Sequence, residues 1–93
     1  MKKEAIFIDV WLVSCFNALG TSHYNNLHTD FDKAESNFNN VVNEAMKFAL
    51  EEIGDFRVSK NHCSLTICDV EDDRVVIVCE ISKQTIQCGT MYM

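Results

Sequence analysis

Hydrophobic positions along the chain follow two different periods, which predict one long helix and several strands. The apolar residues between positions 31 and 53 recur at steps of three and four: Phe31, Ala34, Phe38, Val41, Val42, Ala45, Phe48, Ala49 and Ile53. This is the spacing of one helical face. It predicts a helix over residues 32–53, about 33 Å long. Asp32 and Glu35 have the spacing of a capping box, Thr29 is an alternative cap, and Gly54 follows the predicted end.

The strand signals lie on both sides of this helix. Residues 5–15 are rich in β-branched and aromatic residues and largely apolar on both faces, which is typical of a strand covered on both sides. Residues 62–70 alternate between the two faces of a strand, and residues 74–81 are apolar on one face and largely apolar on the other. They predict two strands joined by a hairpin at residues 69–73. Residues 83–88 are a candidate for a short further strand, and the polar residues 17–28 predict a loop. The sequence therefore predicts one α+β domain over residues 1–93, in the order β-loop-α-β-β, with one long helix packed on a small, mostly antiparallel sheet of 3–4 strands.

One helix covers only one face of such a sheet, and the pattern predicts apolar residues on the other face as well. The residues expected on this uncovered face are Phe7, Trp11, Val13, Val76 and Val78. A monomer rarely exposes a contiguous apolar patch of this size, so we expect these residues to form the interface of a homodimer. The alternative is that the loop over residues 17–28 folds back over this face.

Charge adds a candidate binding surface to this picture. Eleven of the fourteen acidic residues fall within residues 29–55 and 69–73, and the formal net charge is −6. The acids expected to form an exposed, partner-binding surface are Asp32, Glu35, Glu44, Glu51, Glu52, Asp55, Asp69, Glu71, Asp72 and Asp73. An acidic surface repels nucleic acid and attracts proteins that hold nucleic acid. We therefore expect a DNA-binding protein as partner and no direct binding to nucleic acid.

No residue pattern predicts catalysis. His23, His28, Cys63 and Cys68 lack the usual zinc-ligand spacing, and two cysteines five positions apart on a strand point to opposite faces. There is no glycine-rich phosphate loop. We expect no enzymatic activity, no metal and no cofactor.

No apolar run approaches about 20 residues, so no membrane partner is expected. Five cysteines without a CxxC motif predict free thiols and a cytoplasmic location.

The chain resembles the Arn anti-restriction proteins of T-even bacteriophages. The resemblance rests on length, on the acidic, asparagine-rich helix over residues 32–53, on the acidic segment 69–73 and on the lack of a catalytic motif. It implies a dimeric DNA mimic in the host cytoplasm that inhibits the modification-dependent restriction enzyme McrBC or contacts the nucleoid protein H-NS. Lys33 and Lys47 depart from a purely acidic helix surface. The alternatives are an acidic adaptor or anti-CRISPR-like inhibitor that binds through an apolar patch, and a structural subunit that buries this patch.

Overall fold

The structure is a computed structural model that describes residues 3–19 and 22–92, with all their side chains except those of Ser22, Cys88 and Tyr92. The described chain forms one helix and five strands: β1 (Lys3–Asn17), β2 (Ser22–His28), α1 (Phe31–Glu52), β3 (Phe56–Lys60), β4 (Ser64–Asp69) and β5 (Arg74–Tyr92). Every neighbouring pair is antiparallel, and the strand order in the sheet is β2-β1-β5-β4-β3. The predicted α+β class is confirmed, and the sheet is larger than the 3–4 strands expected.

Strands β2 and β3 were not predicted. The segment interpreted as a loop contains β2, which pairs with β1 from Trp11 opposite His28 to Asn17 opposite Ser22. Its residues are mostly polar on both faces, so they carry no hydrophobic alternation. β3 is a short, exposed edge strand beside β4. The segment 83–88 is confirmed as extended, but it belongs to β5, which runs without interruption for 19 residues.

The core lies between α1 and one face of the sheet. Its buried residues are Val13, Ala34, Phe38, Val42, Ala45, Ala49, Ile53, Leu65, Ile67, Val76, Ile77, Cys79 and Ile81. The helical members lie on the face predicted from their spacing. α1 begins after Asp30, whose side-chain oxygen accepts a hydrogen bond of 2.8 Å from the backbone N–H of Asp32. The cap is therefore Asp30 rather than Asp32 or Thr29.

Three residues predicted to form a dimer interface lie under the helix instead, because Val13 and Val76 belong to this core and Trp11 packs against it. Trp11 packs edge-on against Phe31 with ring centroids 5.8 Å apart, Val13 is 0% exposed and Val76 is 1% exposed. Val76 is the residue left unpaired by a register shift, since Ile67 pairs with Ile77 and Cys68 with Val75. This β-bulge places Val76 in the core beside Ile77. The predicted interface is wrong for Trp11, Val13 and Val76, because the helix covers the face that the sequence analysis left open.

The opposite face of the sheet is mixed rather than apolar. Ser14 pairs with Glu80, Glu80 pairs with Ser64, and Thr66 pairs with Val78, which is half-buried. These polar side chains interrupt the apolar residues of this face, such as Phe16, which pairs with Val78 and is 49% exposed. Of the predicted interface residues, only Val78 lies on it within the five-stranded region.

Phe7, the remaining predicted interface residue, is 59% exposed and lies in a two-stranded extension of the sheet. We call this extension the arm: residues 3–10 of β1 paired with residues 84–92 of β5. β2 pairs with β1 only from Trp11 onward, and β4 pairs with β5 only up to Glu80. The molecule measures 63 × 23 × 19 Å, with a radius of gyration of 17.3 Å. A compact chain of this length has a radius of gyration of about 12 Å.

Candidate functional site

Two acidic segments that are distant in sequence meet at one end of the sheet. The backbone N–H of Val70 donates to the carbonyl oxygen of Asp55 over 3.1 Å, and Phe56 pairs opposite Asp69. A Cβ atom placed on Gly54 would lie 3.8 Å from Oε1 of Glu71. The residues that follow α1, Gly54 and Asp55, are therefore in contact with the β4–β5 hairpin. We call this region the acidic end, and its carboxylates are Glu51, Glu52, Asp55, Asp69, Glu71, Asp72 and Asp73.

Two arginines lie beside these carboxylates. Arg74 Nε is 3.6 Å from Asp72 Oδ2, and Arg57 Nη2 is 4.0 Å from Asp73 Oδ1. All four side chains are more than half exposed, so each pair contributes little to stability. The arginines offset two of the seven formal negative charges. The acidic end therefore keeps a strongly negative surface.

One of the seven carboxylates has a structural role. Asp69 is half-buried, and its Oδ1 accepts a hydrogen bond of 3.0 Å from the backbone N–H of Glu71, which shapes the hairpin turn. Asp73 completes the turn with a φ of 48°, a conformation that aspartate adopts more readily than most residues.

Glu51 and Glu52 lie at the end of the helix where negative charge is least favourable. The C-terminal end of a helix carries a partial negative charge, which favours cations and disfavours carboxylates. The last turn of α1 has no basic residue, and both side chains are exposed. Within the described residues, neither carboxylate makes a hydrogen bond or an ion pair. The fold therefore tolerates these charges at an electrostatic cost.

The remaining three predicted carboxylates do not join the acidic end. Asp32, Glu35 and Glu44 are exposed on the earlier turns of α1, and Asp32 lies in the first turn. The structure thus brings together seven of the ten predicted residues and leaves three along the helix. The contact between α1 and the hairpin depends on β3 and its pairing with β4, which the sequence analysis did not predict.

A polar cluster beneath α1 was also missed. Tyr24, Asn26 and His28 occupy alternate positions of β2, so their side chains share one face, and all three contact Asn37 of α1. Nε2 of His28 is 2.9 Å from Asn37 Oδ1, and Nδ2 of Asn37 donates to the hydroxyl of Tyr24 over 3.0 Å. Asn37 lies outside the apolar positions that predicted the helix, yet it is half-buried and holds β2 against α1. The only signal in the sequence is the alternate spacing of three hydrogen-bonding side chains.

The base of the arm holds a second polar contact. Thr85 Oγ1 donates to Asp9 Oδ1 over 2.9 Å, and Lys83 Nζ is 3.3 Å from Asp9 Oδ2. The hydrogen bond from Thr85, together with the hydrogen bond and positive charge of Lys83, lowers the pKa of Asp9 below its ordinary value. Because the contact joins β1 to β5, it fixes the register where the arm leaves the body.

An open groove of about 570 Å³ lies between α1 and the sheet. Cys15, Tyr24 and Ile77 line its floor, and Asn40, Glu44, Lys47, Phe48 and Glu51 are among the helical residues that line its wall. Within residues 3–19 and 22–92, no group of three or more His, Cys, Asp or Glu side chains is placed to hold a metal ion. Among the same residues, no helix is long and apolar enough to cross a membrane.

Comparison with known protein families, with characterised proteins and with solved structures finds no match to this chain.

Proposed function

We propose that the chain is a small acidic counter-defence protein of a phage that acts as a DNA mimic. In this proposal the acidic end occupies the DNA-binding surface of a host protein, either a restriction enzyme of the McrBC type or a nucleoid protein of the H-NS type. The protein would then act in the host cytoplasm. The observation that carries the proposal is the convergence of seven carboxylates at one end of the molecule.

The electrostatic cost of this arrangement supports a role in binding. Glu51 and Glu52 oppose the helix dipole, and the carboxylate of Glu71 lies beside Gly54, two residues after Glu52. Local features that work against stability without a compensating contact are expected at functional sites. A basic surface would supply the missing counter-charge, and such a surface is what proteins that hold DNA offer.

The number of charges supports a mimic that works as a pair of chains. B-DNA carries about one charge per 1.7 Å of axis. A duplex segment as long as the molecule's intermediate width of 23 Å therefore carries about 14 charges. One acidic end presents seven carboxylates and two arginines, so two such ends would supply 14 carboxylates, or about ten net charges.

The proposal is tested by removing equal charge at two places. In one variant, Glu51→Gln, Glu52→Gln and Glu71→Gln remove three charges from the acidic end. In the matched control, Asp32→Asn, Glu35→Gln and Glu44→Gln remove three charges from the rest of α1. Each protein is immobilised, exposed to bacterial lysate and eluted with a salt gradient and, separately, with duplex DNA.

We expect the parent and the control to retain DNA-binding proteins that duplex DNA releases. The acidic-end variant should release the same proteins at clearly lower salt, because fewer ion contacts form. If both variants retain these proteins as the parent does, or if duplex DNA fails to release them, the acidic end is not a DNA mimic.

The exposed apolar residues of the arm favour a second candidate function, an adaptor or inhibitor that binds through apolar surface. Phe7 is 59% exposed, Met91 48% and Ile86 42%, although all three lie in regular strands. The substitutions Phe7→Ser and Ile86→Ser should abolish such binding and leave the acidic end intact. Partner binding that is lost in this variant and insensitive to salt would support the second candidate over DNA mimicry.

The arm is also where we expect two copies of the chain to meet, in place of the interface first predicted. The arm carries only Lys3, Glu4 and Asp9, with Lys83 at its base, so it repels a second copy less than the acidic end does. Sedimentation equilibrium should show a dimer for the parent and a monomer for the Phe7→Ser/Ile86→Ser variant. A parent protein of 10.6 kDa at all concentrations tested would rule out the dimer.

A further inference from the structure

The two central strands place two thiols in direct contact beneath the helix. Cys15 of β1 pairs directly opposite Cys79 of β5. The two Sγ atoms are 2.9 Å apart, and the thiol of Cys79 donates to the sulfur of Cys15. Both are free thiols. Directly opposed residues in antiparallel strands have Cα atoms about 4.5–5.5 Å apart, within the range of about 4.4–6.8 Å that a disulfide spans. A bond between these sulfurs therefore needs no rearrangement of the sheet.

The two thiols differ in access. Cys79 is 0% exposed and belongs to the core. Cys15 is half-buried and lies on the floor of the groove between α1 and the sheet. A small molecule that enters the groove would meet Cys15 and could not reach Cys79. The pair therefore has one sulfur placed to react first and one placed to react second.

The hydrogen bond between the two thiols also makes Cys15, the more accessible one, the more acidic of the pair. Donation from Cys79 stabilises the thiolate of Cys15 and lowers its pKa, although burial acts in the opposite direction. The same hydrogen bond, burial and the nearby charge of Cys15 raise the pKa of Cys79. The thiolate is the form that attacks a disulfide, so the accessible sulfur is also the more nucleophilic one at neutral pH.

We propose that Cys15 and Cys79 form a thiol–disulfide exchange site that takes small disulfides from the groove and closes to an internal Cys15–Cys79 disulfide. The Cys15 thiolate attacks one sulfur of a disulfide R–S–S–R, forming a protein–S–S–R bond and releasing the first R–S⁻. Cys79 then loses its proton and attacks Cys15 Sγ, releasing the second R–S⁻. The two protein thiols give up two electrons and two protons, and the small disulfide is reduced to two thiols.

The charges around the groove predict which disulfides react fastest. Glu44 and Glu51 line the groove together with Lys47, so its rim carries more negative than positive charge. The nearby acidic end adds to this field. A cationic disulfide such as cystamine should therefore react faster than the anionic glutathione disulfide, by roughly three- to tenfold at low ionic strength, and added salt should reduce the difference.

The test begins with the parent protein. It is reduced, freed of reductant and treated with cystamine under native conditions, and its products are followed by mass spectrometry with peptide mapping. We expect an internal disulfide that joins Cys15 to Cys79, with no part of cystamine left bound to either residue. Persistent cystamine adducts on Cys15, or a Cys15 that stays reduced while exposed Cys63 is modified, would overturn the proposal.

Variants then separate the two steps. The background Cys63→Ser/Cys68→Ser/Cys88→Ser retains only the pair, and its fold is checked by circular dichroism. Adding Cys79→Ser should stop the reaction at the mixed disulfide on Cys15. Adding Cys15→Ser should leave Cys79 unmodified in the folded protein. Rapid modification of Cys79 in the folded Cys15→Ser variant would contradict the assigned order of attack.

Discussion

The Oδ1 atom of Asn37 lies 2.9 Å from Nε2 of His28, and this contact joins the helix to the outermost strand of the sheet. β2 pairs with β1, and none of its described side chains, those of residues 23–28, belongs to the buried core. Hydrogen bonds to Asn37 therefore hold β2 against the helix, whereas apolar packing holds the other strands. Since Oδ1 is an acceptor, the contact is a hydrogen bond in the tautomer of His28 that carries its proton on Nε2.

We expect Asn37→Ala to lower the free energy of unfolding by about 0.5–1.5 kcal/mol, because it leaves partly buried hydrogen-bonding groups without partners. Asn39→Ala is the matched control, since Asn39 is exposed on the same helix and gains the same helix propensity. Urea unfolding gives the difference between them. Amide exchange should also become faster in β2 of the Asn37 variant, and equal exchange in both variants would argue against this role.

The helix cap gives a second prediction. Asp30→Ala should lower the free energy of unfolding by about 1 kcal/mol, because it removes the hydrogen bond to the backbone N–H of Asp32. Thr29→Ala should change it by less than about 0.5 kcal/mol, since Thr29 is exposed and does not cap the helix. Thermal or urea unfolding of the two variants distinguishes the caps, and a larger loss for Thr29→Ala would contradict the assignment.

The end of α1 should become more stable when its carboxylates are neutralised. Glu51→Gln and Glu52→Gln should each raise the free energy of unfolding by about 0.3–1 kcal/mol at low ionic strength, because they remove charges from the negative end of the helix dipole. The gain should disappear in concentrated salt. Asp32→Asn, the equivalent change in the first turn, should lower stability instead. Gains that do not respond to salt would point to a cause other than electrostatics.

Asp9 provides a prediction on pH. Its pKa is lowered in the folded protein from the ordinary 3.8, so its ion pair and hydrogen bond stabilise the fold above that pH. This contribution is lost as the pH falls through the folded-state pKa. NMR titration of the Asp9 carboxyl should give a pKa below the ordinary value, and both Thr85→Val and Lys83→Gln should raise it. An unchanged pKa in both variants would show that these contacts do not persist in solution.

The helix could be predicted because its signal is local. Phe38, Val42, Ala45 and Ala49 carry the period of a buried helical face within their own segment, and no distant residue changes that period. The strands β4 and β5 were predicted on the same basis. β2 could not be predicted, because its side chains form the polar cluster with Asn37 and do not show the hydrophobic alternation that indicates a strand.

The site depends on relationships that are not local. The side of the sheet that α1 covers decides whether Trp11 and Val13 are buried, and the β-bulge at Val76 shifts the pattern of β5 by one residue. The carboxylates were identified as exposed, but their convergence requires the pairing of β3 with β4. The contact between Cys15 and Cys79 follows from the register of β1 against β5. The two cysteines are 64 positions apart, and no local pattern in the sequence shows that they pair.

The arm has a consequence for how the molecule meets other surfaces. β5 leaves the acidic hairpin at Arg74 and continues into the arm, so negative charge and neutral surface lie at opposite ends of the longest axis. Such a molecule has a permanent electric dipole along its length. In the field of a basic surface it experiences a torque that turns the acidic end forward before contact. Each productive collision would leave the apolar strands of the arm pointing away from the basic surface, where they stay available to the second copy of the chain.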